Sequence, residues 1–208
     1  MIAIIGAGGH GKCVYECFYQ AGLNVLGFFD DNPAKIGSSL IDGLKVIDSS
    51  DKIAEYEEIS GLFLALGDNR KRIEKYRLFA GRGYSFPNAV HKKAHLSEFA
   101  EIGSGNFFMG PAVVNPGSKI GNCCIINTSA TIGHDCILEN GVQVGPGVNI
   151  AGGCHLHEEA FVGIGAKIAP GVVIGPRTVV GAGSVVLRDL PADAFANGVP
   201  AKIKNCGS

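Results

Sequence analysis

From Leu96 to Val186 every sixth residue is apolar, running through Ile102, Phe108, Val114, Ile120, Ile126 and Ile132 and on at the same step. Only Phe108 in that series is not aliphatic. Four places after each comes a small or slim residue, such as Ala112, Ser118, Cys124, Ala130 and Cys136, and glycine often follows the apolar residue directly, as at Gly103, Gly121, Gly133 and Gly145. A period of six fits neither the 3.6-residue turn of a helix nor simple strand alternation. It predicts a parallel β-helix in which each hexad forms one flat face of a triangular coil. The apolar residue points inward, the small one fills the space near a corner, and the glycine is expected to supply the turn dihedrals. Three hexads close a coil, so the run predicts about five coils stacked at ~4.8 Å, the ordinary spacing between strands.

Before residue 88 the pattern is different. Met1–Ala7, Val25–Phe29 and Ile59–Leu66 read as short apolar strands, each ended by glycine or by a turn such as Asp30-Asp31-Asn32-Pro33. Between and after them, Gly11–Gln20 and Asn69–Phe79 read as helices, the first with Cys13, Val14, Cys17, Phe18 and Ala21 at helical spacing. Strands alternating with helices predict a small Rossmann-like parallel α/β sheet with strand ends and helix N-termini on one edge. All five tyrosines fall in this part, and charge thins out after it. The chain therefore reads as an α/β domain over 1–88 and a β-helix over 89–208, joined near Pro87-Asn88.

The chain has 208 residues, 18 Lys+Arg against 19 Asp+Glu, and a formal charge of −1, a balance unlike that of a nucleic-acid binder. No apolar run reaches the ~20 residues of a membrane span. Met1-Ile2-Ala3-Ile4-Ile5-Gly6 lacks the basic start of a signal peptide. Seven cysteines, with Cys123 and Cys124 adjacent, argue against a disulfide framework and for a reduced, cytoplasmic setting.

Gly6-Ala7-Gly8-Gly9-His10-Gly11, with Asp30-Asp31 about twenty residues on, matches G-x-G-x-x-G. Such a loop lets backbone N–H groups approach a diphosphate at a helix N-terminus. It can equally be a turn that packs strand on helix. A domain of this length is barely half of a doubly wound dinucleotide domain, so a mononucleotide diphosphate fits better than NAD. His134-Asp135 occupies the third and fourth places of its hexad, where packing requires no histidine, so it is either a plain surface pair or a functional one. His91-x-x-x-His95 and His155-x-His157 have ligand-like spacing, but no acidic or cysteine cluster accompanies either, and no metal is expected. Cys124, Cys136 and Cys154 fall on the small inward position and read as filler.

The hexads, the tail Gly198-Val199-Pro200-Ala201-Lys202, the glycine loop, Ala65-Leu66-Gly67-Asp68-Asn69, Asn127-Thr128 and His134-Asp135 follow in the order of one family. The chain resembles the bacterial sialic acid O-acetyltransferases and nucleotide-linked 4-amino-sugar N-acetyltransferases, hexapeptide-repeat enzymes with a left-handed β-helix. The resemblance implies acetyl-CoA as co-substrate, no metal, and a homotrimer with CoA between neighbouring β-helices. It places Gly8, Gly9, His10, Asp30, Asp31 and Gly67 around the nucleotide and makes Asn127 a substrate contact. It casts His134 as general base oriented by Asp135, an arrangement worth typically ~10²–10⁴-fold in rate. The N–H of Gly152 becomes an oxyanion donor, and Ile164 and Ala182 line the pantetheine arm. One departure stands out: the family's second histidine, nine residues after the first, is here Gln143, which can donate a hydrogen bond but carries no proton. Gln143 is kept as a cofactor contact. The expected reaction is N-acetylation of a UDP-linked 4-amino-4,6-dideoxy sugar. The rivals are O-acetylation of sialic acid or a related sugar, a non-catalytic scaffold or nucleotide sensor, and a dehydrogenase.

Overall fold

A computed structural model describes residues 1–204; the last four residues of the expected second domain, Cys206 among them, lie outside the described residues. The N-terminal sheet contains β1 (Ile2–Ile5), β2 (Val25–Phe29), β3 (Ser39–Ile41), β4 (Leu44–Asp48) and β5 (Gly61–Leu64), in the order β3-β4-β2-β1-β5. Central β1 runs parallel to both neighbours, with Ile4 opposite Phe28 and Phe63. Two helices, α1 (Gly9–Gln20) and α2 (Asn69–Ala80), cover opposite faces. Ile4 packs with Val14, Cys17 and Phe18 of α1, while Ala3 and Ile5 pack with Ile73 and Phe79 of α2. Burial on both faces is why β1 reads as a continuous apolar run rather than an alternation.

The structure departs from the sequence pattern at two points. Ala21 is exposed and caps α1 instead of packing with Val14 and Phe18. The hairpin β3–β4 lies between Pro33 and Ile59, where the sequence pattern predicts no strand; it turns on Asp42-Gly43, whose φ values of 51° and 74° are those of a two-residue hairpin turn.

From Ala89 the chain winds into a left-handed parallel β-helix with three faces. The first face starts with Ala89–Val90 and includes Phe107–Phe108, Ile125–Ile126 and Gln143–Val144. The second includes Val113–Val114, Thr131–Ile132 and Asn149–Ile150, and the third Lys119–Ile120, Ile137–Leu138 and His155–Leu156. Partners in adjacent coils are parallel and in register, and the apolar series from Phe108 to Val186 is buried in one continuous core with its small companions.

The glycines that follow the apolar residues do not take the turn dihedrals expected of them. Positive φ falls two places later, at Gly117, Asp135, Gly153 and Gly171, and also at Cys123, Ser129, Glu159 and Arg177. The directly following glycines serve close approach instead: a Cβ on Gly133 would stand 2.5 Å from the carbonyl carbon of Ala151 in the next coil.

The α/β domain is riveted to the first face. Phe107 and Ile125 point outward from the prism yet are buried under α1, each contributing about 1.5–3 kcal/mol of apolar burial. Arg72 of α2 is 1% exposed and donates to the carbonyls of Cys123 (2.9 Å), Leu66 (2.7 Å) and Gly141 (2.9 Å) and to Asn69 Oδ1 (2.8 Å). Among the described residues no helix is long and apolar enough to cross a membrane.

Candidate functional site

The glycine loop joins the end of β1 to α1, and its glycines divide by task. Gly6 has φ +109°, and a Cβ there would lie 2.5 Å from the Ala65 carbonyl oxygen; a Cβ on Gly11 would strike the Gly6 carbonyl oxygen. Both serve packing of strand, loop and helix. Gly8 and Gly9, like Gly67 at the end of β5, have nothing within 4 Å of a Cβ and face open space. Beside the loop lies a cavity of about 260 Å³ lined by Gly6, Asp30, Asp31, Leu66, Lys71 and Lys75. It sits outside the carboxyl ends of β1, β2 and β5, where open α/β sheets bind ligands. Lys71 and Lys75, one turn apart on α2, were not singled out from the sequence; their spacing on the helix that follows Gly67 was the available signal.

The two aspartates hold this edge together. Asp30 Oδ2 accepts from the Ala7 N–H and from Lys35 Nζ, both at 2.8 Å, and Oδ1 from the Asn32 N–H at 3.0 Å, so its carboxylate ties the loop to β2. Asp31 accepts from the N–H and Oγ of Ser50, at 3.1 and 2.6 Å, and pairs with Lys75 at 3.0 Å. Burial opposes ionisation of Asp31, but the bonds from Ser50 and Lys75 outweigh it and hold the carboxyl at about 2. His10 is placed differently from an open nucleotide contact. Its ring packs edge-on against Phe107, centroids 4.7 Å apart, and its Nε2 is buried without a hydrogen-bond partner. Burial, helped by nearby Arg72, lowers its pKa to about 4.

His134 and Asp135 form the corner between the second and third faces. Asp135 takes φ 57° there and carries its carboxylate back to His134, Oδ2 to Nδ1 2.7 Å. A carboxylate only accepts, so Nδ1 bears a hydrogen, and in the neutral ring Nε2 is the nitrogen left to take a proton. Gly152 stands one coil further along the same corner; a Cβ on it would fall onto His134 Nε2. Its N–H makes no hydrogen bond among the described residues. A base, its orienting acid and a free donor thus converge at one corner, with His134 71% and Asp135 70% exposed.

The remaining expected residues lie elsewhere on the prism. Asn127, Ile164 and Ala182 sit at the corner between the first and second faces; Ile164 is 59% exposed, and Asn127 Oδ1 accepts from the Thr128 N–H at 2.8 Å. Gln143 projects from the first face, in a groove of about 340 Å³ shared with Gly67, Arg70, Phe161 and Arg177. The fold therefore brings Gly67 to Gln143, while His134 with Gly152 occupies a separate corner of the same chain.

The other histidines also resolve. His91 is 8% exposed beside Gln20, whereas His95 is exposed. His155 and His157 do have an acid between them, contrary to the sequence reading: Glu139 comes from the preceding coil, a spacing too long to be noticed. Cys124, Cys136 and Cys154 are buried, and each Sγ is directed at a carbonyl of the next coil.

A triangular coil of hexads with an oriented histidine on one corner defines the hexapeptide-repeat acyltransferases. Residues 153–188 match the bacterial transferase hexapeptide family, and residues 1–79 the PglD N-terminal domain. Perosamine N-acetyltransferase from Caulobacter crescentus, solved as a single-residue variant in complex with CoA and GDP-perosamine, is 40% identical with a TM-score of 0.93, covering 98% of this chain and 96% of that one. The acetyltransferase domain of PglB from Neisseria gonorrhoeae, in complex with acetyl coenzyme A, is 33% identical with a TM-score of 0.91 and 98% coverage of both chains. Among curated sequences, the uncharacterized protein L142 of Acanthamoeba polyphaga mimivirus is 31% identical over 125 residues, 60% of this chain; the match spans 24% of that protein's length. The chain belongs to the sialic acid O-acetyltransferase and nucleotide-linked 4-amino-sugar N-acetyltransferase family of hexapeptide-repeat enzymes, which use acetyl-CoA as co-substrate.

Proposed function

We propose that this protein transfers the acetyl group of acetyl-CoA to the 4-amino group of a nucleoside diphosphate-linked 4-amino-4,6-dideoxy sugar, with UDP as the nucleotide. The observation that carries this reading is His134, its Nδ1 fixed by Asp135 and its Nε2 beside Gly152. The amine attacks the thioester carbonyl directly. His134 Nε2 takes the proton released from nitrogen, the Gly152 N–H meets the developing oxyanion, and collapse of the tetrahedral intermediate expels CoA thiolate, which takes the proton. Gly8, Gly9 and Gly67 line the open edge that receives the diphosphate, and Gln143 with Ile164 and Ala182 receives the acetyl-pantetheine arm.

The functional unit in this reading is a homotrimer. His134 sits on one corner of the prism and Ile164 and Ala182 on another, so a neighbouring copy completes the site. A cytoplasmic setting belongs to the same reading, supported by thiols that pack as small apolar groups.

The test is mass spectrometry of reactions holding acetyl-CoA, the protein and, in separate tubes, a UDP-linked 4-amino sugar, a GDP-linked one, and sialic acid. Acetylated UDP-sugar is expected, with kcat/KM falling ~10²–10⁴-fold in His134→Ala. Preferred acetylation of the GDP-sugar would replace UDP by GDP as the nucleotide. Acetylated sialic acid alone would overturn the account of the N-terminal domain, and a His134→Ala rate within a few-fold of wild type would remove the histidine as base.

A further inference from the structure

We propose that Glu139, His155 and His157 form a binding site for a divalent transition metal, zinc foremost, with one coordination position open to the groove on the third face of the β-helix.

At the corner between the third and first faces, the position after the apolar residue reads Gly103, Gly121, Glu139, His157 and Gly175 in successive coils. At Gly103 and Gly121 a Cβ would stand 2.5 and 2.9 Å from backbone of the next coil, so the column favours glycine. It is broken at two stacked positions only, by an acid and a histidine that touch. The third group comes from another column, the outward residues Glu101, Lys119, Ile137, His155 and Val173 of the face itself. Packing asks for a histidine at neither place.

The geometry gathers three donor atoms, one carboxylate oxygen and two imidazole nitrogens, on one point. Glu139 Oε1 lies 2.8 Å from His155 Nε2 and 2.9 Å from His157 Nδ1, and all three ligand atoms are within 4.8 Å of one another. Tetrahedral zinc with bonds of about 2.0–2.1 Å holds neighbouring donors roughly 3.3 Å apart, so Glu139 Oε1 would draw back from each nitrogen by about half an ångström to admit the ion. The other carboxylate oxygen, Oε2, accepts the Glu158 N–H at 3.0 Å, an outer contact that fixes the carboxylate plane as metal sites require.

Charge points the same way. Lys119 pairs with Glu101 and Arg77 with Glu158, but Glu139 has no Lys or Arg partner among the described residues. Two imidazoles hydrogen-bond to it instead, and imidazoles with a carboxylate suit zinc and its neighbours in the first transition row better than calcium or magnesium. The ligands are about one-third exposed, at 37%, 31% and 33% for Glu139, His155 and His157. They stand at the edge of a groove of about 690 Å³ lined by Lys119, Ile137, Asn140 and Glu158. Three protein ligands leave a position for water or a small anion on that side. This inference does not depend on the acetyl-transfer reading, because none of the three residues belongs to the corner of His134.

The experiment uses the full chain carrying Cys13→Ser and Cys206→Ser, so that these two thiols do not compete for metal. Protein equilibrated with zinc and dialysed is assayed by elemental mass spectrometry, and affinity is read by competition with a chromogenic chelator. About one zinc per chain is expected, with affinity lower by at least ~100-fold in Glu139→Gln, His155→Asn and His157→Asn. Cobalt in place of zinc should give the visible bands of a four-coordinate ion. Circular dichroism checks each variant's fold, and retention and the cobalt spectrum of the parent chain decide the matter even where a variant unfolds. The proposal is overturned if the parent retains no zinc, or if the three variants bind it as tightly as the parent.

Discussion

Single residues in this protein carry costs that depend on their environment, and His10 is the sharpest case. Its pKa is lowered from 6.5 to about 4 because the ring is buried against Phe107 with Nε2 unpartnered. Between those pH values the unfolded chain binds a proton that the folded chain refuses. The contribution is therefore fully present above pH 6.5 and is lost as the pH falls toward 4. Each tenfold change in proton affinity corresponds to about 1.4 kcal/mol, so the loss amounts to roughly 3 kcal/mol. Urea unfolding of wild type is expected to weaken over this range more steeply than that of His10→Phe; equal slopes would refute the buried neutral imidazole. Residue identity did reveal the outward His134-Asp135 pair, because a six-residue period assigns every side chain a direction. It misled on the glycines after the apolar residues. Composition alone does not separate a glycine needed for positive φ at one hexad position from one needed for contact with the next coil at another.

At the scale of elements, α2 does more than cover the sheet. Arg72 projects from it into the joint between the domains and satisfies the carbonyls of Cys123 and Gly141 at consecutive β-helix turns. Arg72→Met keeps the bulk but strands those acceptors, and a loss of about 3 kcal/mol is expected in urea or thermal unfolding. Arg72→Lys should recover only part, since an ammonium lacks the planar fork that reaches both carbonyls. Unchanged stability in Arg72→Met would show that the joint rests on Phe107 and Ile125 alone. Most elements were legible: β2 and α2 fall almost where their patterns begin and end, because both are strongly periodic and sharply bounded. The β3–β4 hairpin was missed although Asp42-Gly43 between Ile41 and Leu44 is a strong two-residue turn signal. Its strands are short, and one lies at the sheet edge, where alternation is weakest. The partnership of Glu139 with His155 and His157 was illegible for another reason. Only the length of a coil brings residues sixteen and eighteen apart into contact.

The whole molecule sets the largest question, because one chain separates its candidate groups. His134 with Gly152 lies on one corner, and Ile164 with Ala182 on another. If each site joins corners from two copies, subunits inactive for different reasons should complement each other. His134→Ala and Ala182→Trp, coexpressed one to one, are expected to regain about a quarter of wild-type activity, since half the copies supply each intact corner. No recovery in mixed trimers would place the whole site within one chain. The succession of an α/β sheet and a β-helix was readable from the change of pattern along the chain. How the coils present their corners to a second copy was not, because that depends on surfaces the hexad period leaves free.

The last two strands have a consequence for life in a crowded solution. A stack of parallel coils is open-ended, and its final coil would offer unpaired backbone to any other chain. Here Phe195–Gly198 adds the last parallel strand of the first face, and Ala201–Lys204 then returns in the opposite direction along it, bringing Lys202 and Lys204 to the rim. A reversed, charged strand is a poor template for another parallel coil. The hairpin thus seals that end of the first face against a further parallel strand.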